Sequence, residues 1–315
     1  MSVLVTGGCG FLGLHVLKRL SDEGYDVIAY DVATVQPDVL RRFYKADLNK
    51  IRFVRGDLLD VPRVLETVRK LDVKHIVHLA TMLTKDSEDN PPKAFKVNVE
   101  GTLNLLEISR VMDVEKLVYA SSEAVYGVTG EAPVHEDHPK RPNSVYGITK
   151  LTSEFMGLKY SELYGLDFIA LRFPMIYGPG IYGGGTRLIN YIIESAVKGE
   201  AATIPFTESM RVEPLHVADA ANSVYLALKA RRPAGKVYNI GIGRICTLRE
   251  VLETIKSLYP NTSVSFGDMP GHLIYPVQGP LVIERARTEL NFTPRYDLIS
   301  GVKNYVEVTS RGSVE

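Results

Sequence analysis

Along the N-terminal half of the chain, short apolar runs alternate with amphipathic stretches. The runs Val3–Val5, Val27–Tyr30, Arg52–Val54, His75–Leu79, Leu117–Ala120 and Phe168–Leu171 are rich in β-branched or aromatic residues. They lack the strict polar alternation of a half-exposed strand, so they predict strands buried on both faces. Between them, Leu12–Glu23, Pro62–Leu71, Ala94–Met112 and Gly147–Tyr164 predict helices. Alternation of this kind predicts an α/β fold with a doubly wound parallel sheet covered by helices on both faces.

After Arg172 the pattern changes. "FPMIYGPGIYGGGT" reads as a loop, Arg187–Lys198 and Val217–Ala230 as helices, and "KVYNIG" as another buried strand. Thr247 and Glu250 form a capping box that opens a helix over Leu248–Leu258. The Pro- and Gly-rich stretch 260–282 is expected to be irregular. The expected organisation is a nucleotide-binding domain over 1–172, which also receives about 212–240, and a smaller C-terminal substrate lobe from 173–211 and 241–315.

Composition narrows the function classes. Lys plus Arg equals Asp plus Glu at 37 each, so nothing electrostatic points to nucleic acid or to an anionic membrane. One local arginine still suffices for an anionic small-molecule substrate. The two cysteines, Cys9 and Cys246, have no CxxC spacing, which suits a reducing compartment. "MSVLV" is already β-like, and no apolar run is long enough to span a bilayer. The expectation is a soluble, cytoplasmic protein.

"LVTGGCGFLG" places Gly7, Gly10 and Gly13 between the first strand and the first helix. Glycines there permit a tight turn and let a pyrophosphate approach the backbone, with the positive helix end facing the phosphates. Asp31 closes "DVIAYD" at the end of the second strand, where a carboxylate accepts both ribose hydroxyls of NAD and repels the extra phosphate of NADP. The triplet and the acid together predict NAD as the cofactor. Asp57, in "RGDLLD", ends the third strand, where it could meet the adenine. Asp60 is the better helix cap.

In "SVYGITK", Tyr146 stands four residues before Lys150, on the same helix face. A lysine ammonium near the phenol, and an oxidised nicotinamide ring, both favour the phenolate. Tyr146 would then act as a base that takes a hydroxyl proton while hydride leaves the same carbon. Upstream, "YASSEAVYG" puts Ser121, Ser122 and Glu123 at the carboxyl edge of the sheet, where α/β ligands bind. "HEDH" at 135–138 lies in a Pro-flanked loop with no third ligand pattern, and His75 and His78 face opposite sides of a strand. No metal is expected.

These motifs together resemble the extended short-chain dehydrogenase/reductase superfamily, in its NAD-dependent epimerase/dehydratase branch. The resemblance spans nearly the whole chain: "VNVEGTLNLLE" looks like that family's helix carrying Asn98, and "RARTELNFTPRYDLISGVKNYV" like its closing helices. It implies a Rossmann NAD domain, a substrate lobe and a homodimer built on paired helices. The implied catalytic set is Ser122, Tyr146 and Lys150. The implied cofactor set is Gly7, Gly10, Phe11, Leu12, Gly13, Asp31, Asp57, Leu58, Leu79, Ala80, Thr81, Asn98, Tyr146, Lys150 and Phe173. For the substrate it is Met82, Ser122, Glu123, Tyr146, Thr186 and Arg211.

The chain departs from the family patterns in the substrate region. Nucleotide-sugar epimerases carry Asn where "LRFPM" has Met175, and their arginine stands four residues before the "HV" histidine. Here Arg211 stands five before His216. Sugar dehydratases use two consecutive acids after the catalytic hydroxyl; here Glu123 is followed by Ala124. "YGLDFIALRFP", "GGGT" and the Arg211–His216 spacing are also similar to short-chain L-threonine dehydrogenases. The leading expectation is therefore a sugar or nucleotide-sugar epimerase. The alternatives are a net dehydrogenase of a small hydroxy or amino acid, and a non-catalytic NAD-binding regulator. In either enzyme Arg211 would hold an anion; its other reading is a surface salt bridge.

Overall fold

The computed structural model describes residues 1–35, 50–180, 187–267 and 278–311. Six strands follow in chain order: β1 Ser2–Thr6, β2 Asp26–Asp31, β3 Ile51–Arg55, β4 His75–His78, β5 Lys116–Ser122 and β6 Asp167–Phe173. With Val237–Asn239 they form one seven-stranded sheet. Its order is Val237–Asn239, β6, β5, β4, β1, β2, β3, and every pairing is parallel. The chain reverses its direction of winding between β1 and β4, which opens a crevice at their carboxyl ends.

Both faces of this sheet are covered, as the unbroken apolar runs require. One face packs Val3, Val5, Val77, Val118 and Ile169 against Leu14, Leu17, Ala220 and Val224 of the helices Phe11–Asp22 and Val217–Lys229. The other packs Leu4, Ile28, Ile76 and Leu117 against Val64, Val68, Leu105 and Leu106 of the helices Val61–Lys70 and Gly101–Val111. A third core, with Ile189, Ile192, Ile193, Leu248, Val251 and Val302, lies among the C-terminal helices. His78 is fully buried and ties three elements together, bonding Thr6 Oγ1 on β1 at 2.7 Å and Thr102 Oγ1 at 2.9 Å.

Local chemistry sets the helix starts. Asp60 accepts from Arg63 N at 3.1 Å with Pro62 in the first turn. The Thr247–Glu250 box closes on both sides. Ser144 accepts from Gly147 N at 3.0 Å, opening the helix Val145–Tyr164.

Several elements differ from expectation. β4 stops at His78, and Leu79 already turns towards the crevice. The region expected as one helix from Ala94 begins as Pro91–Ala94, widens into a π-helix at Phe95–Glu100, and continues as α-helix from Gly101. Thr84–Asp89 is a short helix with no hydrophobic period to announce it. Met175–Tyr177, inside the expected loop, pairs with Pro214–His216. Val264–Phe266, inside the expected irregular stretch, pairs with Ala202–Ile204. Among the described residues no helix is long and apolar enough to cross a membrane. On the outer faces of Phe95–Glu100 and Val145–Tyr164, Phe95, Ile148 and Phe155 are more than half exposed.

Candidate active site

The carboxyl ends of β1, β2, β4 and β5 border a cleft of about 870 Å³. At its first corner, Gly7 donates to Tyr30 O at 3.0 Å and Gly10 donates to Gly7 O at 3.0 Å, which folds the loop tightly against β2. Gly7 has φ +67°, and a Cβ there would stand 2.7 Å from Ala80 N. A Cβ on Gly13 would stand 2.1 Å from Gly7 O. The spacing therefore presses helix and loop together with no side chain between them, and the helix that starts at Phe11 has no side-chain cap. A dinucleotide pyrophosphate fits such a cradle.

Asp31 lines the same cleft. Its carboxylate accepts from Cys9 N at 3.0 Å and from Ala33 N at 2.9 Å, so its position is fixed by the loop it serves. Burial and the nearby Asp31 push the Cys9 thiol up to about 11, which keeps it protonated. Asp57 also lines the cleft while accepting from Leu59 N at 3.0 Å. Phe11, Leu12, Leu58, Leu79, Ala80, Thr81, Met82 and Phe173 stand in the wall. Asn98 does not. It is buried behind the wall, where Oδ1 accepts from Met82 N at 2.7 Å and Nδ2 donates to Thr149 Oγ1 at 3.0 Å. This side chain couples the loop after β4 to the Tyr146 helix. Thr186 lies outside the described residues.

Ser122, Tyr146 and Lys150 meet in the cleft. Ser122 ends β5, and its Oγ accepts from Ala124 N at 3.2 Å. Lys150 is buried, with Nζ 5.6 Å from the centre of the Tyr146 ring, and it donates to Ala120 O at 2.8 Å. The expected acidification of the phenol is not a property of the polypeptide alone. Burial pushes Tyr146 up to about 12, with the nearby Ser122 hydroxyl opposing that rise and Glu123 adding to it. Burial likewise takes Lys150 down to about 7, which weakens the cation expected beside the phenol.

The far wall comes from the C-terminal half. Arg211 lines the cleft; one guanidinium nitrogen reaches Glu131 Oε1 at 3.2 Å, while its Nε is buried with no hydrogen-bond partner among the described residues. Glu213 is buried, and its carboxylate accepts from Ile242 N at 2.7 Å, Gly243 N at 2.8 Å and Leu281 N at 2.8 Å. Those bonds hold the strap 278–282 in place. From it, Gln278 reaches the cleft and donates to Glu123 O at 3.2 Å.

Sequence reasoning missed the support beneath the cleft. Arg172 and Glu154 form a buried pair, with Nε to Oε2 at 3.0 Å and Nη2 to Oε1 at 2.5 Å. Ser121 Oγ donates to the same carboxylate at 2.8 Å, and Arg172 Nη1 donates to Tyr126 Oη at 2.7 Å. Glu136 of "HEDH" is consumed in this layer, accepting from Asn239 N at 3.0 Å. Glu88 accepts from Val145 N at 2.6 Å at the start of the Tyr146 helix.

The model of the NAD dependent epimerase/dehydratase family matches residues 3–241, which include the cradle, the Ser122 edge and the Tyr146 helix. The chain belongs to this family. It is an enzyme of the NAD-dependent epimerase/dehydratase family, and its cofactor is NAD. The chain is 32% identical over 317 residues to the dTDP-glucose 4,6-dehydratase of Streptomyces niveus, covering 98% of this chain and 92% of that one. It is similar to the structure of the Thermotoga maritima UDP-glucose 4-epimerase with UDP-glucose, at TM-score 0.87, 25% identity and full coverage of both chains. The Thermus thermophilus UDP-glucose 4-epimerase in complex with NAD gives TM-score 0.85 and 30% identity, with 98% of this chain and 99% of that one covered.

Proposed function

We propose that this family member is a nucleotide-sugar epimerase acting on a nucleoside-diphosphate hexose. The observation that carries the reading is one cleft holding a dinucleotide cradle, Ser122, Tyr146 and a buried Arg211 nitrogen that has no partner among the described residues. A guanidinium in that state is suited to a diphosphate. NAD, when bound, supplies a hydride acceptor that can return the hydride.

Tyr146 takes the proton of the reacting hydroxyl as the carbon loses its hydride, and later returns that proton to the carbonyl oxygen. Ser122, which lines the same cleft, orients the same oxygen. Lys150 holds the floor of the site through Ala120. Between the two transfers the keto sugar turns over, so the product differs only at one carbon and no net oxidation occurs. Similarity to epimerases and to a dehydratase favours this class over a net dehydrogenase. Epimerisation is preferred to dehydration because Ala124 follows Glu123 where dehydratases would have a second acid.

The test is incubation of the purified holoenzyme with UDP-glucose and UDP-galactose. Interconversion without accumulating reduced cofactor is expected, and stoichiometric NADH would reject the reading. Tyr146→Phe is expected to lower turnover by roughly 10²–10⁴-fold, the range for a lost acid–base group, with NAD still bound.

A further inference from the structure

Lys150 is buried, yet among the described residues it makes no ion pair, and Ala120 O is the one acceptor its ammonium meets. An ammonium stripped of water needs more than one carbonyl to stay charged. The charged groups of the surrounding elements are engaged elsewhere. Glu154, one turn further along the same helix, is bound by Arg172 of β6 and Ser121 of β5. Glu88 receives Val145 N, and Glu107 on the helix Gly101–Val111 pairs with Arg110. Glu123, past the end of β5, is felt at the Tyr146 phenol. His78 on β4 is kept neutral by burial and adds no charge.

What does lie against the ammonium is an aromatic face. Nζ stands 4.9 Å from the ring centre of Tyr119, nearer than the 5.6 Å to Tyr146. Tyr119 precedes Ala120 in β5 and shares the sheet face of Phe168, on which the Tyr146 helix lies. Its ring is buried and fixed from two sides. It stacks on Phe168 with centroids 6.1 Å apart, and it tilts against His78 at 5.5 Å.

We propose that Tyr119 is a positioning residue for the reaction: its ring face and Ala120 O form the seat that holds the Lys150 ammonium, charged, beside the Tyr146 phenol. The inference rests on the Tyr146 chemistry proposed above. A ring suits this place better than a carboxylate. Its quadrupole steadies the cation, but it carries no net charge, so it does not cancel the field that the cation exerts on the phenol.

The test alters the ring and reads Lys150. Holoenzyme carrying ¹³C at lysine Cε is titrated by NMR, with Lys150→Met identifying the resonance. Tyr119→Phe keeps a ring face and is expected to leave the Lys150 titration where wild type has it. A pentafluorinated phenylalanine at the same position keeps the shape and reverses the quadrupole. It is expected to move the titration down by about one pH unit. Tyr119→Leu should do the same, and either variant suffices if the other fails to fold. A titration left unmoved by loss or reversal of the ring face overturns the proposal. In parallel, kcat for UDP-glucose is followed against pH. Activity that needs the ammonium is lost as pH rises through the Lys150 value. That loss should come about one pH unit earlier with the fluorinated ring, and at the wild-type pH in Tyr119→Phe. A kcat lowered equally at every pH would mark packing alone and overturn the proposal. If wild type turns over no nucleotide sugar while the Lys150 resonance still follows the ring, the substrate reading fails and the seat stands.

Discussion

Tyr146 and Lys150 show what a residue spacing reveals and what it hides. Their four-residue interval was enough to put both on one helix face and in one cleft. It could not say that Lys150 donates to Ala120 O, because that depends on where β5 ends. Asp31 was legible for a sturdier reason: an acid closing the second strand after a glycine loop has a single geometric place. Its bonds to Cys9 N and Ala33 N add that it also shapes that loop. Asp31→Ala is expected to weaken NAD about 10- to 100-fold, the worth of charge-assisted hydrogen bonds, and NADP much less. Fluorescence titration of both dinucleotides measures this, and equal losses would remove Asp31 from the ribose. Glu213 and Gln278 were not legible, since their partners lie far along the chain and are mostly backbone N–H and carbonyl groups.

Among the elements, the helix Val145–Tyr164 carries Tyr146 and Lys150, the residues of the proposed chemistry, and its position is enforced from several sides. Glu88 receives Val145 N at its start, Asn98 holds Thr149, and Glu154 binds Arg172 of β6. A Cβ on Gly157 would meet the Phe168 ring at 2.1 Å, so the helix lies directly on the sheet. The strands were readable because both faces are apolar; the helix's buried ion pair was not, because Glu on an amphipathic helix ordinarily faces water. Glu154→Gln leaves Arg172 buried without its counter-charge and is expected to cost about 3–5 kcal/mol. Urea unfolding measures this, and a loss below 1 kcal/mol would show that Tyr126 Oη and Glu136 O alone satisfy the guanidinium.

For the whole molecule, sheet order and layers followed from periodicity, whereas the short strand pairs of the C-terminal half did not. Two- and three-residue strands carry too few side chains to show a period. Burial across the molecule also sets its response to acid. It holds His15 near 4 and both His78 and His216 near 3, so all three stay neutral when folded. The unfolded chain protonates them near 6.5, so the stability they contribute is complete above that pH and is lost as pH falls towards 3–4. Glu213 acts in the opposite sense between about 4.5 and 7, so the steepest loss is expected below pH 4.5. Thermal unfolding across pH 3–7 tests this. His78→Gln, which can still bond Thr6 and Thr102, should flatten the acid limb, and an unchanged limb would contradict the burial argument.

The π-helical turn at Phe95–Glu100 has a further consequence. A wider turn shifts the angular phase of every residue after it, and a single residue corresponds to about 100° around a helix axis. Asn98 reaches Met82 on one side and Thr149 on the other only at its present phase. Shortening this turn by one residue would leave composition and hydrophobicity almost untouched while swinging that amide out of the joint. The register of this helix is therefore as much a part of the site as any side chain that faces the cleft.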